Sequence, residues 1–232
     1  MPAAPRSLPQ AVLFDMDGVV ADSEHQWHLL EGSLFGKILP SWREEDHEKI
    51  VGLGVLDLHR FLVAEFGLQE PRERFLSMCD EAAEEVYRKR TTLTPGFLDA
   101  LEWVRSEKIS LGLASSSPRN WVRMVLDRFD LEKKFRVIVT ADDVGGEGKP
   151  SPAIYLRAAK LLGAEPARCA AIEDSRHGVL AAKRAGMFCV ALRNGTNEKQ
   201  IFSEADVEIR QLADINLGLL THLFRGQKTL RP

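Results

Sequence analysis

Short apolar runs that suit buried strands alternate with helical patterns along most of this chain. Five runs are apolar on both faces, as the strands of a covered parallel sheet are. They lie at residues 11–14, 109–114, 136–140, 169–172 and 187–192. Helical patterns lie at residues 97–108, 118–129, 152–162 and 176–185. This alternation predicts a doubly wound α/β fold with a parallel sheet.

The stretch at residues 23–90 interrupts the alternation. Its charged helical patterns, separated by glycine and proline, lie at 42–50, 55–66 and 72–90. An insertion after the first strand lies over the carboxyl ends of the strands, where open α/β sheets bind ligands. We therefore predict a Rossmann-like core domain of residues 1–21 and 94–232, with an inserted α-helical cap domain of residues 22–93.

Composition limits the kinds of partner. The net charge of -3 and the scattered lysines and arginines provide no basic surface for nucleic acid. No apolar run is long enough for a membrane span, and no signal peptide is visible. We expect a cytoplasmic protein without a nucleic-acid, membrane or protein partner. The three cysteines form no C-x-x-C pair and no cluster with histidine, so we expect neither a zinc site nor a disulfide framework.

Acidic residues follow two of the predicted strands. Asp15 and Asp17 come directly after the first strand, where residues two apart project to the same side. They would also suit a strand end that opens a turn at Gly18. Glu173 and Asp174 follow a later strand, and four converging acids would repel one another without a divalent cation. Because the ligands are oxygen atoms, we predict a Mg²⁺ site rather than a zinc site.

Candidate phosphate-binding residues follow two further strands. Ser115 ends a strand and Ser116 opens the next helix, where hydroxyl and backbone N–H groups can hold a phosphate. A serine at this position is also an ordinary helix N-cap. Lys149 follows a glycine-rich loop and can reach the same phosphate, although a lone lysine is usually a surface charge. The loop does not match the P-loop pattern.

These strand-end residues resemble, in order and spacing, the four motifs of the haloacid dehalogenase superfamily. The matching residues are Asp15-Met16-Asp17-Gly18-Val19-Val20, Ser115, Lys149-Pro150 and Glu173-Asp174-Ser175. The resemblance covers residues 10–220. It implies a magnesium-dependent phosphatase that acts on a small phosphorylated substrate.

The resemblance also implies a role for each acidic residue. Asp15 is implied to be the nucleophile that forms an aspartyl-phosphate. Asp17 is implied to protonate the leaving oxygen and then to activate water, with its backbone carbonyl in the metal shell. Asp174 is implied to ligate Mg²⁺, and Glu173 to ligate it directly or through water.

The remaining motif residues are implied to bind the phosphate group. Ser115 and the backbone N–H of Ser116 would hold phosphate oxygens. Lys149 would offset the charge of the phosphate and of Asp15. Because the protein does little covalent work in phosphoryl transfer, positioning and charge neutralisation are expected to supply most of the rate.

The predicted cap resembles the small cap of the β-phosphoglucomutase-like branch. Asp22-Ser23-Glu24 with Trp27, and Gly52-Leu53-Gly54, are similar to segments of its hexose-phosphate and 2-deoxyglucose-6-phosphate phosphatases. This similarity implies a sugar phosphate as the substrate. Ser23 and Gln26 also fit a capping box, which would do no more than start a helix.

The alternative within this branch is a β-phosphoglucomutase. Sugar mutases of the branch have an arginine and a histidine where this chain has Val55 and Trp27. Neither Val55 nor Trp27 can bind the second phosphate of a bisphosphorylated sugar. Arg43, Lys49 or Arg60 would have to replace the missing charge. We therefore expect a phosphatase.

Overall fold

The computed structural model describes residues 8–224. The sequence also predicts dispensable tails at residues 1–9 and 226–232, and these lie outside the described residues except for positions 8 and 9. The strands in chain order are β1 (Ala11–Phe14), β2 (Ala21–Asp22), β3 (Thr92–Leu93), β4 (Ser110–Ala114), β5 (Val137–Val139), β6 (Cys169–Glu173), β7 (Phe188–Leu192) and β8 (Val207–Ile209). Six of them form one sheet in the order β5-β4-β1-β6-β7-β8, and all of its pairings are parallel. The predicted doubly wound α/β fold is confirmed.

The sheet contains one strand more than the sequence predicts. β8 has three residues and lies at the edge of the sheet beside β7. Glu208, its middle residue, is exposed. A strand this short, with a charged residue at its centre, has too few apolar positions to stand out from a loop.

Eight α-helices accompany the strands within residues 8–224. They are α1 (Glu24–Ile38), α2 (Val55–Phe66), α3 (Arg72–Glu85), α4 (Phe97–Ser106), α5 (Arg119–Phe129), α6 (Ala153–Leu162), α7 (Arg176–Arg184) and α8 (Leu217–Phe224). No helix of this part of the chain is both long and apolar enough to cross a membrane.

Two predicted helices differ from those observed. The pattern at 42–50 forms only a 3₁₀ helix at Glu44–Lys49. The pattern at 72–90 divides into α3 and a π-helical turn at Val86–Arg90, which closes with a bond from the N–H of Thr91 to the carbonyl of Val86. Periodicity does not distinguish a π turn from an α turn, and π turns are frequent at functional sites.

Alternate residues of each central strand face opposite sides of the sheet. In β1, Val12 and Phe14 pack with α4, α5 and α8, whereas Leu13 packs with α6 and α7. All three side chains are fully buried. Burial on both faces is the reason that β1 is apolar throughout.

Residues 24–90, which we call the helical segment, lie between β2 and β3. These two short strands pair antiparallel. The segment packs closely on the strand ends at two glycines. A Cβ atom at Gly52, where φ is +79°, would lie 2.3 Å from Ser175 Oγ, and one at Gly54 would lie 2.8 Å from the Ser116 carbonyl oxygen. Only glycine permits this approach.

Candidate active site

The register of the sheet brings the strand-end residues together. Phe14 pairs with Leu113 of β4 and with Ile172 of β6. The backbone N–H of Asp15 donates to the Ile172 carbonyl at 3.1 Å, so Asp15 lies beside Glu173. The sequence-predicted acids therefore meet at the carboxyl edge of the sheet.

Lys149 is buried at this edge and is not a surface charge. Its side chain is 2% exposed, and its Nζ lies 2.5 Å from Asp15 Oδ1 and 2.6 Å from Glu173 Oε1. Burial acts to lower the pKa of Lys149, but the two carboxylates outweigh it and raise this pKa. Lys149 is therefore a fixed positive charge. The Tyr155 hydroxyl also donates to Glu173 Oε1.

Asp15, Glu173 and Asp174 form a buried acidic trio. One carboxylate oxygen from each lies within 4.8 Å of the others. Burial raises the pKa of Asp15 to about 8, with Lys149 opposing and Glu173 adding to the effect. Burial, with repulsion from Glu24 among other acids, also raises the pKa of Asp174 well above its usual value. A divalent cation would relieve this cost, and an all-oxygen donor set fits Mg²⁺.

Asp174 is held in place by residues that follow β7. The side-chain amide of Asn194 donates to Asp174 Oδ2 at 2.9 Å and to the Gly18 carbonyl at 3.1 Å. The Asn197 amide donates to the Asp174 carbonyl at 2.6 Å. Sequence reasoning missed both asparagines. Their one signal is their position after a buried strand, at the edge where the other site residues lie.

The Asp17 carboxylate lies apart from the acidic trio and accepts three hydroxyl hydrogen bonds. Ser23 Oγ and the Tyr87 hydroxyl donate to Asp17 Oδ1 at 2.6 Å and 2.8 Å. Ser117 Oγ donates to Oδ2 at 2.8 Å. Burial raises the pKa of Tyr87 well above its usual value, so its hydroxyl stays protonated. The Trp27 indole N–H donates to this hydroxyl at 3.1 Å.

Ser23 therefore does not form the capping box that its spacing suggested. It precedes α1, but its hydroxyl makes no cap hydrogen bond to the helix and points to Asp17 instead. Sequence reasoning missed Tyr87 and Ser117 entirely. Tyr87 is 70 positions from Asp17 and Ser117 is 100, so no local pattern links them.

The three consecutive serines have different surroundings. Ser115 is buried, and its Oγ accepts the backbone N–H of Ser117 at 3.0 Å. Ser116 Oγ accepts the backbone N–H of Lys149 at 3.0 Å. Ser116 and Ser117 line the cleft above Asp15. The structure therefore places both predicted phosphate-binding serines at the end of β4, with Ser116 in contact with the backbone of Lys149.

This cleft lies between the strand ends and the helical segment. Its walls from the helical segment comprise Glu24, Trp27, Glu31, Leu34, Phe35, Ile50, Val51, Gly52, Leu53, Val55, Leu58, Cys79 and Tyr87. Burial raises the pKa of Cys79 to about 12, so this thiol stays neutral. None of the residues that the helical segment contributes to the cleft is a lysine or an arginine.

The cationic residues that a mutase would need point elsewhere. Arg43 donates to the carbonyls of Pro40 and Trp42. Lys49 pairs with Asp46. Arg60 pairs with Asp57.

The sequence and the fold of this chain are similar to those of known proteins. The sequence model of the haloacid dehalogenase-like hydrolase family matches residues 9–186. A phosphorylated carbohydrates phosphatase from Thermotoga maritima is 35% identical over 178 residues, covering 77% of this chain and 82% of that protein. A β-phosphoglucomutase from Bacillus subtilis is 33% identical over 220 residues, covering 91% and 93%. Among solved structures, CbbY from Rhodobacter sphaeroides in complex with phosphate has a TM-score of 0.76 and 27% identity, covering 92% of this chain and 99% of that chain.

The family match extends from two residues before β1 to two residues after the end of α7. It contains Asp15, Ser115, Lys149 and Asp174, each at a strand end or in a loop on the same edge of the sheet. The resemblance inferred from the four motifs is confirmed. This chain belongs to the haloacid dehalogenase-like hydrolase family.

Proposed function

We propose that this protein is a Mg²⁺-dependent phosphatase that hydrolyses a phosphomonoester of a sugar or a similar small polyol. The observation that supports this most directly is Lys149. A buried lysine that bonds Asp15 beside two further buried acids is costly to maintain unless its charge is used. At this edge of the sheet, its use is the neutralisation of a phosphate and of the nucleophile.

Asp15 would be the nucleophile. One of its carboxylate oxygens attacks phosphorus, the bond from phosphorus to the sugar oxygen breaks, and an aspartyl-phosphate forms. Asp17 gives its proton to the leaving sugar oxygen. Asp17 then takes a proton from water, which attacks phosphorus and releases inorganic phosphate and the free Asp15 carboxylate.

The hydrogen bonds of Asp17 indicate which of its oxygens handles the proton. Oδ1 accepts from both Ser23 and Tyr87, which occupies its two lone pairs. Oδ2 accepts only from Ser117 and keeps one lone pair. We infer that the transferred proton resides on Oδ2, and that Ser23, Tyr87 and Ser117 orient this carboxyl group.

Mg²⁺ would be held by Asp15, Asp174 and the backbone carbonyl of Asp17, with Glu173 as a direct or water-mediated ligand. When bound, it would neutralise charge that builds up on the phosphoryl oxygens. Glu173 is also bonded to Lys149 and Tyr155. This supports a second role for Glu173, the positioning of Lys149.

The helical segment supports the choice of substrate. We propose that residues 22–93 form a cap domain over a core of residues 1–21 and 94–232. Glu24 and Glu31 offer carboxylate oxygens to the cleft, and Trp27 and Phe35 offer apolar surface. Carboxylates accept hydrogen bonds from hydroxyl groups, and a ring face packs on the C–H face of a sugar.

The absence of lysine and arginine from the helical side of the cleft favours hydrolysis over isomerisation. A β-phosphoglucomutase must hold a second phosphate away from Asp15, and that phosphate requires a cation. The helical segment provides no such cation to the cleft.

The test is release of inorganic phosphate from a panel of phosphorylated sugars and polyols in the presence of Mg²⁺. We expect turnover with Mg²⁺, none after chelation, and recovery when Mg²⁺ is returned. β-Glucose 1-phosphate with a trace of the 1,6-bisphosphate, followed by phosphorus NMR, distinguishes the alternative. Rapid formation of glucose 6-phosphate without phosphate release would overturn the phosphatase assignment.

A further inference from the structure

A second group of metal-ligand side chains lies in the helical segment, away from the strand ends. His28 and Glu31 are three residues apart on α1 and therefore lie on the same side of this helix. His47 comes from the 3₁₀ helix at Glu44–Lys49. One nitrogen of each histidine and one carboxylate oxygen of Glu31 lie within 4.8 Å of one another.

The contacts within this group suit an ion. His47 Nδ1 lies 2.7 Å from Glu31 Oε2, and both side chains are about nine-tenths buried. The His28 and His47 rings are tilted against each other, with centroids 4.3 Å apart. The Nδ1 atom of His28 is buried and has no hydrogen-bond partner among the described residues. A buried imidazole nitrogen without a partner is costly, and a metal ion would satisfy it.

The surroundings of this group attract cations. It opens to a cleft of about 620 Å³ between the helical segment and the loop at residues 195–199. Among the described residues, the charged groups that line this cleft are four glutamates and one lysine: Glu44, Glu45, Glu48, Glu198 and Lys199. Glu44 Oε1 lies 3.8 Å from His28 Nε2, the ring nitrogen that points away from Nδ1.

We propose that His28, Glu31 and His47 bind one zinc ion or a similar late first-row transition metal. Two imidazoles and one carboxylate are a common donor set for zinc, and imidazole is not a ligand that Mg²⁺ prefers. Tetrahedral zinc places its ligand atoms about 3.3 Å apart, so side-chain rotations alone would close the site. The sequence predicted no zinc site because its cysteines form no C-x-x-C pair and no cluster with histidine. The structure brings two histidines together from separate helices, which a search for such local clusters does not detect.

An ion at this site would affect the cleft above Asp15. Glu31 belongs to both, because its side chain also lines that cleft. The ion would also tie α1 to the 3₁₀ helix. Glu48 of that helix accepts hydrogen bonds from the Gln200 amide, through its carbonyl at 3.0 Å and its carboxylate at 2.8 Å. The ion is therefore placed to hold the helical segment in position over the sheet.

The test is calorimetric titration of the full chain with Zn²⁺ in saturating Mg²⁺. We expect one Zn²⁺ per chain, and at least about a 100-fold loss of affinity in His28→Ala, His47→Gln and Glu31→Gln. His222→Ala is the matched control, because this exposed histidine lies on α8, outside the group. Asp174→Asn, which weakens the acidic trio, should leave the Zn²⁺ affinity unchanged. Absence of Zn²⁺ binding to the wild-type chain, or a wild-type Zn²⁺ affinity in all three ligand variants, would overturn the proposed site.

A second measurement does not depend on the variants folding. Anomalous diffraction at the zinc edge from crystals of the wild-type chain grown with Zn²⁺ and Mg²⁺ should show a peak between His28 and His47. A zinc peak only among Asp15, Glu173 and Asp174 would refute the proposal. Circular dichroism of each variant identifies any loss of affinity that comes from unfolding.

Discussion

The two walls of the cleft above Asp15 differ in how their polar groups are paired. On the sheet side, Lys149 bonds Asp15 and Glu173, and Asn194 bonds Asp174. On the helical side, the lining is mostly apolar, and Glu24 has no such cationic partner in the cleft lining. Burial, together with repulsion from Asp17, raises the pKa of Glu24 well above its usual value.

This difference in pairing fits two different tasks, the stabilisation of charge and the recognition of the substrate. Groups that stabilise charge must be rigid and paired before the substrate arrives, and parallel strand ends provide that rigidity through backbone pairing. Groups that recognise a sugar need only shape and hydrogen-bond acceptors. Tyr87 is the exception, because it belongs to the helical segment and yet bonds Asp17.

Asp15→Asn is the strongest test of the sheet side. The amide cannot attack phosphorus, so turnover should fall by at least about 10⁴-fold. The measurement is steady-state phosphate release, with circular dichroism to show that the variant is folded. Asp99→Asn, an exposed change in α4, should retain full turnover. Near-normal turnover of Asp15→Asn would exclude the aspartyl-phosphate.

Asp17→Asn should give the next largest effect. It keeps the shape of the side chain but removes proton transfer, so kcat should fall by roughly 10² to 10⁴-fold. A substrate with a phenolic leaving group needs little protonation, so formation of the aspartyl-phosphate should be partly rescued with it. The measurement is the single-turnover rate of aspartyl-phosphate formation, and an equal loss of this rate with sugar and phenolic substrates would argue against Asp17 as the general acid.

Tyr87→Phe tests whether the helical side contributes to chemistry. It removes the hydrogen bond to Asp17 Oδ1 and the hydrogen bond that the Trp27 indole donates to this hydroxyl, and it leaves the ring packed against Trp27. Hydrogen bonds to charged groups are worth about 1.5 to 3 kcal/mol, so kcat should fall about 10- to 100-fold with little change in KM. A change confined to KM would assign Tyr87 to substrate recognition instead.

Gly52→Ala should give the smallest effect on turnover, and it tests the contact between the two walls. Its new Cβ would meet Ser175 Oγ and push the helical segment away from the sheet. We expect KM to rise by about fivefold, corresponding to about 1 kcal/mol, with kcat changed less.

Gly67→Ala is the matched control for that variant. Gly67 also has a positive φ, +65°, but nothing lies within 4 Å of its Cβ position. Gly67→Ala should lose about 1 kcal/mol of stability in denaturant unfolding, because it places a side chain in a left-handed conformation. Gly52→Ala should lose at least as much, because its Cβ atom also meets Ser175. An equal rise of KM in the two variants would show that backbone strain, and not the contact with Ser175, is responsible.

Local sequence determined the sheet and the strand-end acids. A strand such as β1 is apolar throughout because both of its faces are buried, and this pattern is visible without any knowledge of the rest of the chain. Asp15 and Asp17 follow from the same strand, since their position depends only on where β1 ends. The family resemblance rests on these local motifs.

Only the tertiary structure decided which side chains meet. Lys149 looks like a surface charge in the sequence, but it is buried because β1 and β6 place Asp15 and Glu173 on either side of it. Ser23 fits a capping box in the sequence, but in the structure the Ser23 hydroxyl donates to the Asp17 carboxylate and makes no cap hydrogen bond to the helix. Tyr87 reaches Asp17 across 70 positions of the chain. Partners this distant are selected by packing, which no local pattern encodes.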